Sequence, residues 1–240
     1  MPNASTSFFG WVAFLLQKYG MLFLRGTGMT LLIALTGTAL GFALGLLVAI
    51  IRTIALPEKK KAGSNAGVIV KRGLLRFVHM LMNVYIQVFR GTPMIVQAVV
   101  IYYGAQYAGV FMDTTFAAVF IISINTGAYM AEIIRGGIVS VDKGQFEAAH
   151  AIGMTHWQTM TTVVLPQAIR NILPSVGNEL IVNIKDSSVL NVISVSELFF
   201  QAKSAAGTYY RYFEVYFIIA VIYLILTLTV SRILRAVEKK

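Results

Sequence analysis

The sequence predicts an all-α membrane protein with five transmembrane helices, its N-terminus outside and its C-terminus inside. Three observations predict this. Hydrophobic residues make up 57% of the 240 and charged residues only 12%, about half the charged share of a soluble domain. The apolar residues gather in runs near the ~20 residues that cross a bilayer. The Lys and Arg behind the net charge of +10 sit mainly between and after those runs, as charge that orients spans does. A nucleic-acid binder would cluster that charge on a polar folded surface, so no nucleic-acid partner is expected. With no Cys there are neither disulfides nor thiolate metal ligands, and three scattered His suggest no metal site. The length fits one transmembrane domain over residues 28–240, preceded by an outer-face segment over residues 1–27.

Taken in order, Met1 to Ser7 carry no Lys or Arg and lack the basic start of a cleavable signal. Phe8 to Leu16 is apolar, but roughly nine residues cannot cross about 30 Å of hydrocarbon. It reads as an interfacial helix with Trp11 and Tyr19 at headgroup level, or as a ragged start to the first span. Gly28 to Ile51 is the first clear span and carries no charge. Gly37, Gly41 and Gly45 fall four apart on one face, where missing side chains let another helix approach, from this chain or from a second subunit. The basic connection with Lys59, Lys60, Lys61, Lys71 and Arg72 is cytoplasmic by the positive-inside rule.

Leu74 to Gly109 is too long for one straight span, roughly 50 Å as a helix. Pro93 lacks an amide proton and drives Thr92 out of helical geometry, so a break is predicted there. Broken helices at depth are tolerated where protein or water covers them, so Arg90 marks either a cavity wall or a plain kink with a snorkelling side chain. Thr115 to Val139 is the next span. Glu132 and Arg135, three apart near its inner end, can pair on one face. A polar stretch over residues 144–166 follows, then spans from Val163 through Ile184 and from Phe213 to Val230. The tail residues Arg232, Arg235, Lys239 and Lys240 place the C-terminus inside.

No chemistry-bearing motif is present. The chain lacks the GxxxxGK[ST] phosphate loop, HExxH and GxSxG, so no catalytic residue is assigned and the chain is not expected to hydrolyse ATP. No TVGYG-like filter points to a channel. An ion-coupled secondary carrier stands as the alternative, though one break and no internal repeat fit it poorly.

The polar stretch GQFEAAHAIGMTHWQTMTTVVLP, Gly144 to Pro166, has no lipid to face and suits docking in the cytoplasm. Its Glu147-Ala148-Ala149, then Gly153, then Leu165-Pro166 is similar to the EAA loop of ABC importer permeases, with Val163 where that pattern has Ile. Phe89-Arg90-Gly91-Thr92-Pro93, Ala128-Tyr129-Met130-Ala131-Glu132, Arg135-Gly136-Gly137-Ile138 and Lys185-Asp186-Ser187-Ser188 resemble the polar amino acid branch of that family. The resemblance runs from about Thr30 to Ser196. It implies the permease subunit of a type I ABC importer, multi-pass in a bacterial inner or plasma membrane and surrounded by lipid. It implies a five-helix core and a cytoplasmic coupling helix from about Gln145 to Ala151, begun by Glu147, that docks in an ABC ATPase. It further implies a second permease subunit, the same or homologous, and an extracellular or periplasmic solute-binding protein that delivers an amino acid substrate. The chain would hold no cofactor of its own; ATP and Mg would bind the partner ATPase.

Glu179, Asn183 and Asp186 fall at i, i+4 and i+7 on one helical face. With Arg170 at the inner boundary, Glu179 lies roughly 13 Å deep and Asp186 roughly 24 Å. A carboxylate at the midplane costs at least about 2.5 kcal/mol against lipid, so it needs a partner or a wet cavity. Two readings stay open. One is a buried pairing of Glu179 with Arg90 or Arg170. The other is a substrate cavity in which Glu179 and Asp186 attract an ammonium or cationic side chain, Asn183 and Ser187 supply neutral hydrogen bonds, and Asn125 and Thr126 line the same space. Lys185 points about 100° away from Asp186 on an ideal helix and is a poor partner for it.

Overall fold

The computed structural model describes residues 7–54, 56 and 66–238. Lys59, Lys60 and Lys61, the tail residues Lys239 and Lys240, and the first six residues lie outside the described residues. Every element is helical, with no strand among the described residues.

Helix α1, Phe8–Thr53, runs unbroken for 46 residues, about 69 Å at 1.5 Å per residue. The expected division at residue 27 and the separate helix over Phe8 to Leu16 do not coincide with a helix end. A single glycine costs a helix only about 1 kcal/mol, so Gly20, Gly26 and Gly28 do not interrupt an apolar run that continues on both sides. Helix α2, Ala66–Gly91, stops where Pro93 predicts, and α3 resumes over Met94–Tyr107. The Thr92 hydroxyl donates to Val88 O at 2.8 Å and closes α2. Gly109, at φ 80°, ends α3: the amides of Gly109 and Val110 donate to Gln106 O and Ala105 O at 2.9 and 2.8 Å, the paired bonds of a Schellman cap.

Helix α4, Thr114–Val139, opens on Asp113, whose Oδ2 accepts from the amides of Thr115 and Phe116 at 2.8 and 3.0 Å. That satisfies donors the helix itself leaves unpaired. Helices α5, Lys143–Ala151, and α6, His156–Gln158, form the polar hairpin. A π-helical turn, Thr159–Val164, then runs directly into α7, Leu165–Asp186. Pro166 offers no amide to the carbonyl one α-turn back, and the Leu165 amide reaches Met160 O, five residues away. A 3-10 turn, Ser187–Ile193, leads to α8, Leu198–Tyr209, and α9, Tyr212–Glu238.

By length and apolar composition α1, α4 and α9 can each cross a membrane, and the interrupted pair α2–α3 makes a fourth candidate. Helix α7 falls outside that set because Arg170, Glu179, Lys185 and Asp186 dilute its apolar run.

The chain divides into two compact units. The first comprises Met1–Thr38, Met94–Ile122 and Gly177–Lys240. Lipid tails are as apolar as leucine, so helices here are held by close packing and hydrogen bonds rather than by hydrophobic association. Ala202, Ala205 and Ala206 put one flat stripe of α8 against Leu15 and Phe23 of α1 and Val215, Ile218 and Ile219 of α9. A Cβ at Gly26 would come within 2.8 Å of the Leu198 Cα, so only glycine permits this crossing. Glu197 is fully buried and caps α8: its carboxylate accepts from the amides of Phe199 and Phe200 at 2.9 and 2.7 Å and from the Tyr223 hydroxyl at 3.0 Å. The Leu198 amide donates to the Thr30 hydroxyl at 3.3 Å. Burial pushes the Glu197 carboxyl above the ordinary glutamate range, while the two amides and the Tyr223 and Thr30 hydroxyls pull it back.

The second unit comprises Ala39–Pro93 and Ser123–Val176. Gly41 and Gly45 of α1 press on α4 of the same chain. A Cβ at Gly41 would meet the Thr126 side chain at 2.7 Å, and one at Gly45 the Ala131 amide nitrogen at 2.8 Å. The Tyr85 hydroxyl of α2 donates to Ile124 O at 2.6 Å, tying α2 to the same helix. Gly37, the third glycine of the stripe, falls in the first unit and is buried there.

Candidate functional site

The hairpin is built from short-range chemistry. Asp142 Oδ1 accepts from the Gly144 amide at 2.7 Å and caps α5. Glu147 therefore lies in the middle of α5 rather than at its start, because the preceding acid takes the cap. Gly153, at φ 82°, turns the chain, and the amides of Gly153 and Met154 return to His150 O and Ala149 O at 3.0 and 3.1 Å. Thr155 and Gln158 form a reciprocal capping box that starts α6. Val141, Val164 and Ala168 form the apolar base, with Phe146 and Met160 packed on it.

Of the four motif residues, Glu147, Ala148 and Gly153 are exposed, whereas Ala149 is buried. The first three present a small, open surface, and Ala149 holds the hairpin together from within. The structure adds two residues that sequence reasoning passed over, Ile152 and Trp157, which are 79% and 76% exposed beside the turn. Their signal was available: large apolar side chains in a polar stretch that has no lipid to cover them.

A second set of charges meets at Glu132. Arg52 Nη1 lies 2.5 Å from its Oε1, and Arg135 Nη2 3.0 Å and Arg90 Nη1 4.0 Å from its Oε2. The Arg90 guanidinium also stacks over the Tyr129 ring, 5.5 Å from its centroid. The expected pair with Arg135 is present, but the shortest contact comes from Arg52, eighty residues away. Arg90 is held by this acid and ring, and no cation lies within 4.0 Å of Glu179 or Asp186 among the described residues.

On α7 the predicted face divides. Glu179 and Asp186 are half-buried, two like charges two turns apart. Asn183 is buried and its Nδ2 donates to the Thr38 hydroxyl at 2.8 Å. Ser187 is buried and donates to Ile184 O at 2.9 Å. Each of these neutral groups expected at the cavity thus makes an internal hydrogen bond, which spares it the cost of a buried polar group without a partner. In the second unit, Thr126 is fully buried against Gly41, and Asn125 Nδ2 donates to Phe89 O at 3.4 Å. Both take part in helix packing. Glu179 and Asp186 leave a pair of half-buried carboxylates on α7. No cluster of three His, Cys, Asp or Glu able to hold a metal occurs among the described residues.

Comparison with known proteins adds the following. The family described as "Binding-protein-dependent transport system inner membrane component" matches residues 63–240. The glutamine transport system permease protein GlnP of Escherichia coli is 39% identical over 221 residues, 91% of this chain and 92% of that one. The arginine transport system permease protein ArtQ of Bacillus subtilis is 42% identical over 157 residues, 65% of this chain and 72% of its own length. A crystal structure of an amino acid ABC transporter with histidines superposes at a TM-score of 0.83, with 38% identity, over 98% of this chain and 99% of that one. The MetNI methionine ABC transporter in an inward-facing form shares the fold, at a TM-score of 0.68 and 21% identity over 92% of this chain and 97% of that one.

Proposed function

We propose, from the premise that the chain belongs to the binding-protein-dependent transport system inner membrane component family, how its geometry serves transport. The chain is the permease subunit of an amino acid ABC importer; ATP hydrolysis belongs to a separate subunit. It is an integral membrane protein with several apolar helices. The observation that carries the functional reading is the hairpin. Its tip exposes Glu147, Ala148, Ile152 and Trp157 around a glycine-only turn, a surface shaped to enter a groove of an ATPase.

The finer assignments go together. The chain crosses the membrane five times with its N-terminus out, α7 being the span whose charges face a path rather than lipid. The hairpin then lies in the cytoplasm, where the partner ATPase holds ATP and Mg. The chain pairs with a second permease subunit, the same or homologous, and a solute-binding protein delivers substrate from the outside of a bacterial inner or plasma membrane. The N-terminal part of α1, from Phe8 to residue 27, lies on that outer side. The substrate is a polar amino acid, as the names of the glutamine and arginine relatives suggest, and Glu179 and Asp186 attract its cationic groups. The ion-coupled carrier finds no support among these relatives.

Reconstitution with the cognate ATPase and binding protein tests this. Uptake that persists after a protonophore collapses the proton gradient and stops on ATP depletion is the expected result. Uptake that follows the proton gradient without ATP overturns it.

A further inference from the structure

Lys185 lies at the end of α7, one residue from Asp186 yet on another side of the helix. It forms no ion pair among the described residues, and α7 has no acid one turn before it, at Ile181. Its side chain instead lines a cavity of about 320 Å³ together with Ser188, Phe199, Tyr216, Ala220 and Tyr223. The walls are mostly aromatic and apolar. Phe199 and Tyr216 hold one side, their ring centroids 5.4 Å apart, and Ala220 leaves the other side open. Tyr223 directs its hydroxyl away to Glu197, so the polar groups left to the cavity are an ammonium, the Ser188 hydroxyl and the Tyr216 hydroxyl.

Tyr216, Ile219, Ala220 and Tyr223 of α9 line the cavity, and the same helix leaves Val221, Leu224, Ile225 and Leu228 exposed on another face, as a lipid-facing span does. A ligand here needs an anionic group for Lys185 and an apolar body for the aromatic wall and the α9 surface. A free inorganic anion meets only the first requirement, and a zwitterionic lipid brings its own cation to a site that already holds one.

We infer that this cavity binds an anionic glycerophospholipid, its headgroup phosphate on Lys185 and Ser188 and its first acyl carbons on Phe199, Tyr216 and Ala220. The site is separate from the hairpin and uses neither Glu179 nor Asp186, so it stands or falls independently of the transport reading. A juxtamembrane lysine strengthens binding to an anionic lipid by about fivefold. An aromatic floor makes the site selective for a lipid over a soluble anion.

The test is native mass spectrometry of the intact transporter, purified in detergent and titrated with phosphatidylglycerol, phosphatidylcholine or inorganic phosphate. Phosphatidylglycerol is expected to be retained about fivefold better than phosphatidylcholine. Lys185→Gln should bring the two level, and Lys185→Arg should restore the preference. Ala220→Trp, which fills the cavity mouth, should lower retention of phosphatidylglycerol while the transporter still elutes as a single species. Three results would overturn the assignment: unchanged preference in Lys185→Gln, unchanged retention in Ala220→Trp, or inorganic phosphate competing as well as the lipid. A second protein copy covering the cavity would appear as lipid retention that rises only when the complex dissociates, and this also overturns it.

Discussion

Replacing Glu197 with Ala would remove the carboxylate that caps the Phe199 and Phe200 amides of α8 and would also strip the Tyr223 hydroxyl of its acceptor. Losing a helix cap costs about 1 kcal/mol, and leaving a buried hydroxyl unpaired costs about 1–3 kcal/mol. Together these make about 2–4 kcal/mol, since the cap and the hydroxyl bond are separate contacts to one carboxylate. In a chain of this size each kcal/mol moves the unfolding midpoint by about 2–4 °C, so a fall of about 4–16 °C is expected. Scanning fluorimetry on the purified protein reads it directly. Trp11 is buried and packs 5.9 Å from the Tyr209 ring of α8, so loss of α8 packing changes its emission. Glu197→Gln keeps one acceptor oxygen and should fall between. Tyr223→Phe should cost about 1 kcal/mol in the native background and almost nothing on Glu197→Ala, because the two side chains share one bond. A midpoint shift under about 2 °C, or equal cost of Tyr223→Phe in both backgrounds, refutes the capping argument.

Two further outcomes bear on transport. Glu179→Gln and Asp186→Asn should each lower uptake roughly tenfold or more, the size of one lost charge-assisted contact, with assembly and basal ATP hydrolysis retained; native uptake in both removes the carboxylate face from the path. Gly153→Trp forces a bulky residue into a left-handed turn that costs it about 1–2 kcal/mol and fills the hairpin tip. Co-purification of the ATPase and its stimulation should drop towards background, and full stimulation would end the docking assignment.

What was legible in the sequence was mostly local. Pro93 fixed the break between α2 and α3 because its steric rule needs no tertiary context. Gly153 marked the hairpin turn, and Glu132 with Arg135 marked a pair, for the same reason. Contacts distant along the chain were not legible. Nothing near Arg52 announces that it reaches Glu132, and nothing near Asn183 announces Thr38, 145 residues away. Glu197 reads as an ordinary loop acid until α8 is seen to begin on it. Helical spacing grouped Asn183 and Ser187 with Glu179 and Asp186, but spacing does not say which residues on a face are spent on internal bonds. The helix of the hairpin starts earlier than Glu147, because Asp142, just outside the motif, takes the cap.

The π-helical turn at Thr159–Val164 sets a phase. A wide turn carries one residue more than an α-turn of the same rise, so this stretch holds a residue that could be deleted without severing the helix. A chain one residue shorter there would close to an ordinary α-turn and leave the hairpin pointing as it does. A residue removed from the α-helical stretch that follows, where each residue counts for about 100° of rotation, would instead swing Trp157 and the hairpin tip around the axis of α7. The wide turn is therefore the one place in this stretch where the count of residues can change by one while the loop keeps its heading.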